Sequence, residues 1–169
     1  AAADAYTVDE DGSLTVAANG VLGNDVDVDG DSLSAVLVSD VAHGVLTLNA
    51  DGGFSYAPSA NYHGSDSFSY RVNDGSAESN VVTVSLTINP VNDAPLAVAD
   101  AYTVDEDGSL TVVASGVLGN DSDLDGDSLS AVLVSDVAHG VLTLSADGGF
   151  TYAPSANYHG SDSFSYKAN

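Results

Sequence analysis

Cysteine, methionine and tryptophan are absent from the 169 residues, and lysine and arginine together number two. No disulfide framework is possible, so cysteine usage assigns no redox compartment. With only Arg71 and Lys167 against 25 acidic residues, the net charge is −23. That field repels phosphate backbones and anionic lipid surfaces, which excludes nucleic acid as a partner and argues against membrane insertion. No apolar run approaches the length of a membrane span. No signal peptide is legible, so any export signal is expected outside this segment. Helical periodicity is missing as well. What remains is 44% apolar, enough for a buried core and too much for a disordered acidic tail.

The acid that is present is skewed: 22 aspartates and three glutamates, Glu10, Glu78 and Glu106. Aspartate is short, suits turns, and is a common loop ligand for hard cations. It is also repeated. Residues 1–73 match residues 97–169 at 64 of 73 positions, and every aspartate of the first copy recurs in the second. Two near-copies read as two domains of one array. The boundaries expected are residues 1–89, a linker at 90–96, and 97–169. The second copy stops at Asn169, the counterpart of Asn73, so it lacks an equivalent of residues 74–96.

Within a copy the hydrophobic pattern has period two, broken by turn residues every few positions. Seven strands are predicted: Ala3–Val8, Ser13–Ala17, Leu33–Ser39, Val45–Asn49, Phe54–Ala57, Ser67–Asn73 and Val81–Ile88. Seven short strands in about 95 residues predict an all-β fold. The chain reads as two tandem immunoglobulin-like Greek-key sandwiches, the second without its last strand. The spacing of Asp66 and Tyr70 predicts corner tyrosines at Tyr70 and Tyr166, with hydroxyls tied to upstream backbone. The natural chain is expected to continue past Asn169, or a neighbour to lend the missing strand.

Between the second and third strands lies "NDVDVDGDSL" (Asn24–Leu33), repeated as "NDSDLDGDSL" (Asn120–Leu129). Two carboxylates about 4 Å apart repel by roughly 4 kcal/mol at an effective dielectric of 20. Asp25, Asp27, Asp29 and Asp31 would force the loop open without a cation among them, as would Asp121, Asp123, Asp125 and Asp127. Gly30 and Gly126 permit the sharp turn. Flexible aspartate loops supply the six to eight oxygens that Ca²⁺ takes, whereas Mg²⁺ prefers few carboxylates and retained waters. The opening resembles an EF-hand, but its twelfth position is Val36 rather than a bidentate glutamate. A solvated acidic turn is the plainer alternative. Sandwich topology is expected to bring the second loop toward Glu10 and Asp66 of the first copy, with Asn92 and Asp93 of the linker beside them. The first loop would rely on its own copy, for instance Asp74.

Other residues invite other readings. His63, Ser65 and Asp66 share one turn, whereas a catalytic triad needs side chains converging on a pocket. No catalytic residue is assigned and no enzyme is expected. A zinc site from His43, His63, His139 and His159 is weighed and set below tight-turn packing. Tyr56 and Tyr62 could stack on sugars, but strand and corner packing fits them better.

The motifs "DAYTVDEDGSL", "GVLGNDxDxDGDxL", "AHGVLTL", "DGGFxYAPSANYHGSDSFSY" and "VNDAP" together resemble the bacterial cadherin-like tandem repeats of very large secreted adhesins, over essentially the whole chain. "VNDAP", the early Glu10, the acidic loop and "VNDG" (Val72–Gly75) occupy places matching calcium-ligating segments of cadherin repeats. The linker runs Asn92-Asp93-Ala94 where cadherins continue with a second asparagine. The cadherin Asp-Arg-Glu triplet is missing, and only Asp66 lies near its place. The resemblance implies a calcium-rigidified extender module on a bacterial surface or secreted, with neighbouring repeats of the same chain as partners. Other cell-surface molecules or glycans are further expected partners. The competing reading is a carbohydrate- or partner-binding module of an adhesin or secreted polysaccharidase. Near-identity of the copies favours the extender, since a spacer needs uniform units.

Overall fold

The structure, a computed structural model, describes residues 1–169. The chain divides into two compact units, Ala1–Val91 and Asn92–Asn169. The division falls inside the expected linker, and residues 92–96 fold with the second unit.

The first unit has seven strands: β1 (Asp4–Asp9), β2 (Leu14–Val16), β3 (Ser34–Ser39), β4 (Gly44–Leu48), β5 (Phe54–Pro58), β6 (Gly64–Asn73) and β7 (Val82–Asn89). They form two sheets, ordered β1-β7-β6-β3 and β2-β5-β4. β1 pairs with β7 in parallel, Asp4 opposite Val84 and Val8 opposite Ile88. The other ladders are antiparallel. The period-two alternation of the sequence becomes alternation of burial: in β6 Phe68, Tyr70 and Val72 are buried, and in β7 Val84, Leu86 and Ile88. Phe54 from one sheet meets Phe68 from the other edge-on, at 5.4 Å between ring centres, and Tyr6 packs on Phe54 at 5.0 Å. The two inner faces thus share one core.

The expected strands are all present, with one difference that matters. The sixth begins at Gly64 rather than Ser67, because Gly64, Ser65 and Asp66 pair with Ile88, Thr87 and Leu86. Asp66 is therefore a strand residue and not a corner residue. Tyr70 sits well inside β6, not at its start. Its hydroxyl is tied to upstream backbone, the Val21 carbonyl at 2.6 Å and the Ala2 carbonyl at 3.1 Å.

The second unit repeats five of these strands: β8 (Leu110–Val112), β9 (Ala131–Ser135), β10 (Gly140–Leu144), β11 (Phe150–Pro154) and β12 (Ser165–Ala168). One sheet is complete, in the order β8-β11-β10, and the other is reduced to β9 paired with β12. Residues 100–105, equivalent to β1, form no ladder, and β12 keeps four residues of the ten in β6. Phe164 and Tyr166 are only half-buried, where Phe68 and Tyr70 are fully so.

Candidate metal centre

Both aspartate loops lie between the second and third strands of their units, after a short 3₁₀ turn at Gly20–Leu22 or Gly116–Leu118. The 3₁₀ turn of the first unit is held against the β4–β5 turn by the Val21 N–H, which donates to the Gly52 carbonyl at 3.0 Å. That contact leaves no room for a side chain on Gly52: an added Cβ would lie 2.7 Å from the Asn19 carbonyl oxygen, on a backbone with φ of +84°.

The loop is organised by its own carboxylates. Asp27 Oδ1 accepts the N–H groups of Asp29, Gly30 and Asp31 at 2.8, 2.9 and 3.2 Å. Asp123 Oδ1 does the same for Asp125 and Asp127 at 3.0 and 3.1 Å. This is the local side-chain-to-backbone turn that aspartate favours. Gly30 sits at φ +83°, the left-handed region its turn requires. Asp29, Asp31, Asp125 and Asp127 are exposed.

Asp25 is engaged differently. One oxygen accepts the Ala2 N–H at 2.6 Å, and the other lies 3.0 Å from the Tyr70 hydroxyl. The same hydroxyl lies 2.6 Å from the Val21 carbonyl, 3.1 Å from the Ala2 carbonyl and 3.3 Å from Asp4 Oδ2. One hydroxyl hydrogen faces four acceptors. Burial first, then the Asp25 and Asp4 carboxylates, push the Tyr70 pKa far above its ordinary range. Burial raises the pKa of Asp4, the Tyr70 hydrogen bond opposes that, and the neighbouring Asp25 charge adds to it. The second unit reproduces the cluster: Tyr166 lies 2.7 Å from the Val117 carbonyl, 3.0 Å from Asp121 and 3.4 Å from Asp100, and the Val98 N–H donates to Asp121 at 2.7 Å. Asp4 and Asp100, with the Val21 and Val117 carbonyls, were not legible as site residues. Each aspartate opens a strand-like segment about twenty residues before its loop, and nothing local signals the approach.

The linker contributes to the second unit. The Asp93 N–H donates to Asp125 Oδ2 at 2.7 Å, and Leu96 forms a two-way backbone bridge with Ser122. Asn92, Asp123, Asp127 and Asn169 line an open depression of about 460 Å³. Only oxygen and amide groups face it among the polar side chains, a donor set that suits a hard cation. No three acidic or histidine side chains converge closely enough to form a ready-made cage.

The remaining expected ligands have other occupations. Asp66 is buried, and its carboxylate accepts four hydrogen bonds: Ala42 N–H at 2.9 Å and Ser67 N–H at 2.8 Å on one oxygen, His43 N–H at 2.8 Å and the Tyr56 hydroxyl at 3.0 Å on the other. A carboxylate has about four acceptor positions. Asp66 therefore pins the β3–β4 turn to β6. Desolvation works to raise its pKa, but the four donors outweigh it and the net shift is downward. Asp162 repeats the arrangement with Ala138, His139, Ser163 and Tyr152, and its pKa falls to about 2. Glu10 is buried at the far end of the first unit. Its Oε1 accepts the Val91 N–H at 2.7 Å and its Oε2 lies 3.5 Å from His63 Nδ1. Asp74 closes its own turn by accepting the Ser76 and Ala77 N–H groups, each at 2.7 Å.

The tempting alternatives separate in space. His63 faces Glu10 while Asp66 faces the β3–β4 turn, so the neighbours in sequence address different partners. His43 stacks on Tyr62 at 4.0 Å, covering one face of that ring, and Tyr56 is fully buried. Tyr56 therefore offers no platform for a sugar, and Tyr62 has one face covered.

A family model described as bacterial cadherin-like domain matches residues 1–90 and again 92–169. Integrin beta-like protein E of Dictyostelium discoideum is 28% identical over 151 residues, which is 77% of this chain and 7% of that protein's length. Extracellular cadherin domains 3–6 of protocadherin gamma B2 align over 99% of this chain and 49% of that one, with a TM-score of 0.52 and 14% identity. An endo-fucoidan hydrolase of glycoside hydrolase family 107 aligns over 99% of this chain and 26% of that one at 18% identity, with a TM-score of 0.42, too loose to bear on activity. No helix is long and apolar enough to cross a membrane.

Proposed function

The chain belongs to the bacterial cadherin-like domain family, and from that premise we propose that it is a calcium-rigidified extender module of a large extracellular adhesin, one stretch of a longer series of such repeats. The observation that carries the reading is the seating of linker on loop in the second unit. Asp93 donates to Asp125, and Asn92 shares a depression with Asp123 and Asp127. A cation held there by Asn92, Asp93, Asp121, Asp123, Asp125 and Asp127 ties the linker to the sandwich and stiffens it. In the first unit Asp25, Asp27, Asp29 and Asp31 are the corresponding ligands, with Asp4 and the Val21 carbonyl adjoining. Glu10 keeps an oxygen toward the exposed His63 at the opposite end, and Asp74 extends the set beside the sixth-to-seventh-strand turn. What the ion supplies is charge neutralisation, in a chain with two basic residues against 25 acidic ones.

Near-identity of the two copies supports spacing rather than recognition. The module's partners are then other repeats of its own chain, its setting is outside the cell, and it does no chemistry on a substrate. Thermal unfolding with Ca²⁺ and after exhaustive chelation tests the reading. A ligand bound only by the native state stabilises it by about 2.7 kcal/mol at a hundredfold excess over Kd. A midpoint several degrees higher in millimolar Ca²⁺ is expected, and an identical midpoint overturns the proposal.

A further inference from the structure

A sheet presents unpaired N–H and C=O groups along its outermost strands, and folded proteins blunt those edges with charge, shortness or bulges. Three of the four edges in the first unit are blunted in these ways. β1 has an aspartate at each end, Asp4 and Asp9, β2 is three residues long, and β3 shifts register between Leu37 and Ser39. β4 is the exception. Gly44–Leu48 holds five residues with no charge, no proline and no register shift. Its backbone faces two ways. The Asn49 N–H donates to the Gly53 carbonyl at 2.8 Å, and the Ser59 N–H donates to the His43 carbonyl at 2.9 Å. Antiparallel bonded pairs recur at every second residue, so His43, Val45, Thr47 and Asn49 bond toward β5. The N–H and C=O groups of Gly44, Leu46 and Leu48 then point away from the sheet. β10 repeats the strand as "GVLTL" at Gly140–Leu144, with the same bonds donated by Ser145 and Ser155, each at 2.8 Å. Val45 is 73% exposed and Val141 71%, so the strand is open on its outer face as well.

We propose that this edge is a homotypic contact: β4 of one molecule pairs antiparallel with the same strand of a second copy, the identical β10 serving equally. Charge selects that occupant. The net charge of −23 repels a second copy over most of the surface, and it draws a basic partner to the aspartate loops instead. The uncharged edge is where a like-charged chain can approach. The nearest acids, Asp40 and Asp51, lie beyond its two ends. The register is self-complementary. A two-fold axis through Leu46 sets it opposite the partner's Leu46 and sets Gly44 opposite the partner's Leu48, so the residues with outward groups meet one another. Val45 then stands beside the partner's Thr47, two β-branched side chains on the exposed face. Five residues a side bury less than the roughly 1,200–2,000 Å² of a stable interface, so one contact is weak. Each chain carries the edge twice, and two contacts made together reinforce each other.

The chain has no cysteine, which allows a register test by disulfide trapping. One variant carries Val45→Cys and Val141→Cys, the other Thr47→Cys and Thr143→Cys, all at exposed positions. Facing residues of a non-hydrogen-bonded pair have Cα atoms about 4.5 Å apart, within the roughly 4.4–6.8 Å that a disulfide spans. Oxidation of the mixture should give cross-linked dimer several times faster than oxidation of either variant alone. The reactions are run in about 1 M salt, where screening shortens the reach of charge to about 3 Å. They are run both with Ca²⁺ and with chelator, so the outcome stands apart from that of the calcium proposal. Amide exchange of the unaltered chain at rising concentration should show new protection at Gly44, Leu46 and Leu48 and at Gly140, Leu142 and Leu144. Equal rates in the mixture and in the separate solutions overturn the inference. So does protection that does not rise with concentration, or that falls on β1, β2 or β3 instead.

Discussion

The Tyr70 hydroxyl lies 3.0 Å from the carboxylate of Asp25 and so joins the centre of the sandwich core to the first residue of the aspartate loop. Tyr70 is fully buried and its ring packs in the main cluster, while Asp25 opens toward solvent. The loop is therefore mechanically continuous with the core, and Tyr166 and Asp121 repeat the relation in the second unit.

Tyr70→Phe removes the one hydrogen that faces four oxygens and leaves the Val21 carbonyl buried without it. A cost of about 1–3 kcal/mol is expected for a buried acceptor deprived of its donor. Thermal melts of the two proteins in chelator measure it. Tyr166→Phe should cost less, because Tyr166 is half-buried and water can replace its hydroxyl.

The two aspartate loops should differ in affinity. Ligand charge and rigidity set Ca²⁺ affinity, and the second loop has Asn92 and Asp93 folded onto it. Replacing Asp121, Asp123, Asp125 and Asp127 together by asparagine should abolish the tighter component of a calorimetric Ca²⁺ titration. The same change at Asp25, Asp27, Asp29 and Asp31 should remove the weaker one. The opposite pattern would contradict the ligand assignment.

Asp4→Asn separates electrostatics from ligation. The pKa of Asp4 is raised by burial and by Asp25, so its charge in the folded state is a liability at neutral pH that protonation relieves as pH falls through the raised value. Without Ca²⁺ the substitution should leave stability unchanged or improve it. With Ca²⁺ it should weaken binding severalfold. Equal melting shifts under the two conditions would exclude Asp4 from the site.

Acid should loosen the β3–β4 turn and its equivalent in the second unit. Asp66 and Asp162 have lowered folded-state pKa values, Asp162 at about 2. An unfolded aspartate titrates near about 3.9. The stability these groups contribute is complete above that value and is lost as pH falls from there toward about 2. Chelated protein melted across this interval should show the decline. Asp66→Ala should flatten the first unit's share of it, and at neutral pH should cost about 1–3 kcal/mol through the stranded N–H groups of Ala42 and His43.

Much of this was legible because the causes are local. Alternation of apolar residues placed all seven strands of the first unit within about three residues. The four aspartates of each loop, with the glycine among them, announced a turn of oxygen ligands. What stayed hidden arises from contacts across the fold. Asp66 looks like one more acid in a turn, and only the arrival of Ala42 and His43, more than twenty residues earlier, turns it into a pin. Asp4 looks like the first residue of a strand, and only Tyr70 and Asp25 make it part of the loop's surroundings.

The sequence by itself determined the two-unit repeat, the all-β class and the position of the aspartate loops. These follow from composition, period and turn chemistry, which act between neighbours along the chain. Tertiary structure alone decided which of the repeated segments became strands. Residues 100–105 carry the same sequence as 4–9, yet only the latter form a strand, because a strand is made by its ladder partner and not by its own residues. It also decided how each carboxylate is engaged: Asp25 and Asp66 are chemically alike, but folding brings two donors to Asp25 and four to Asp66.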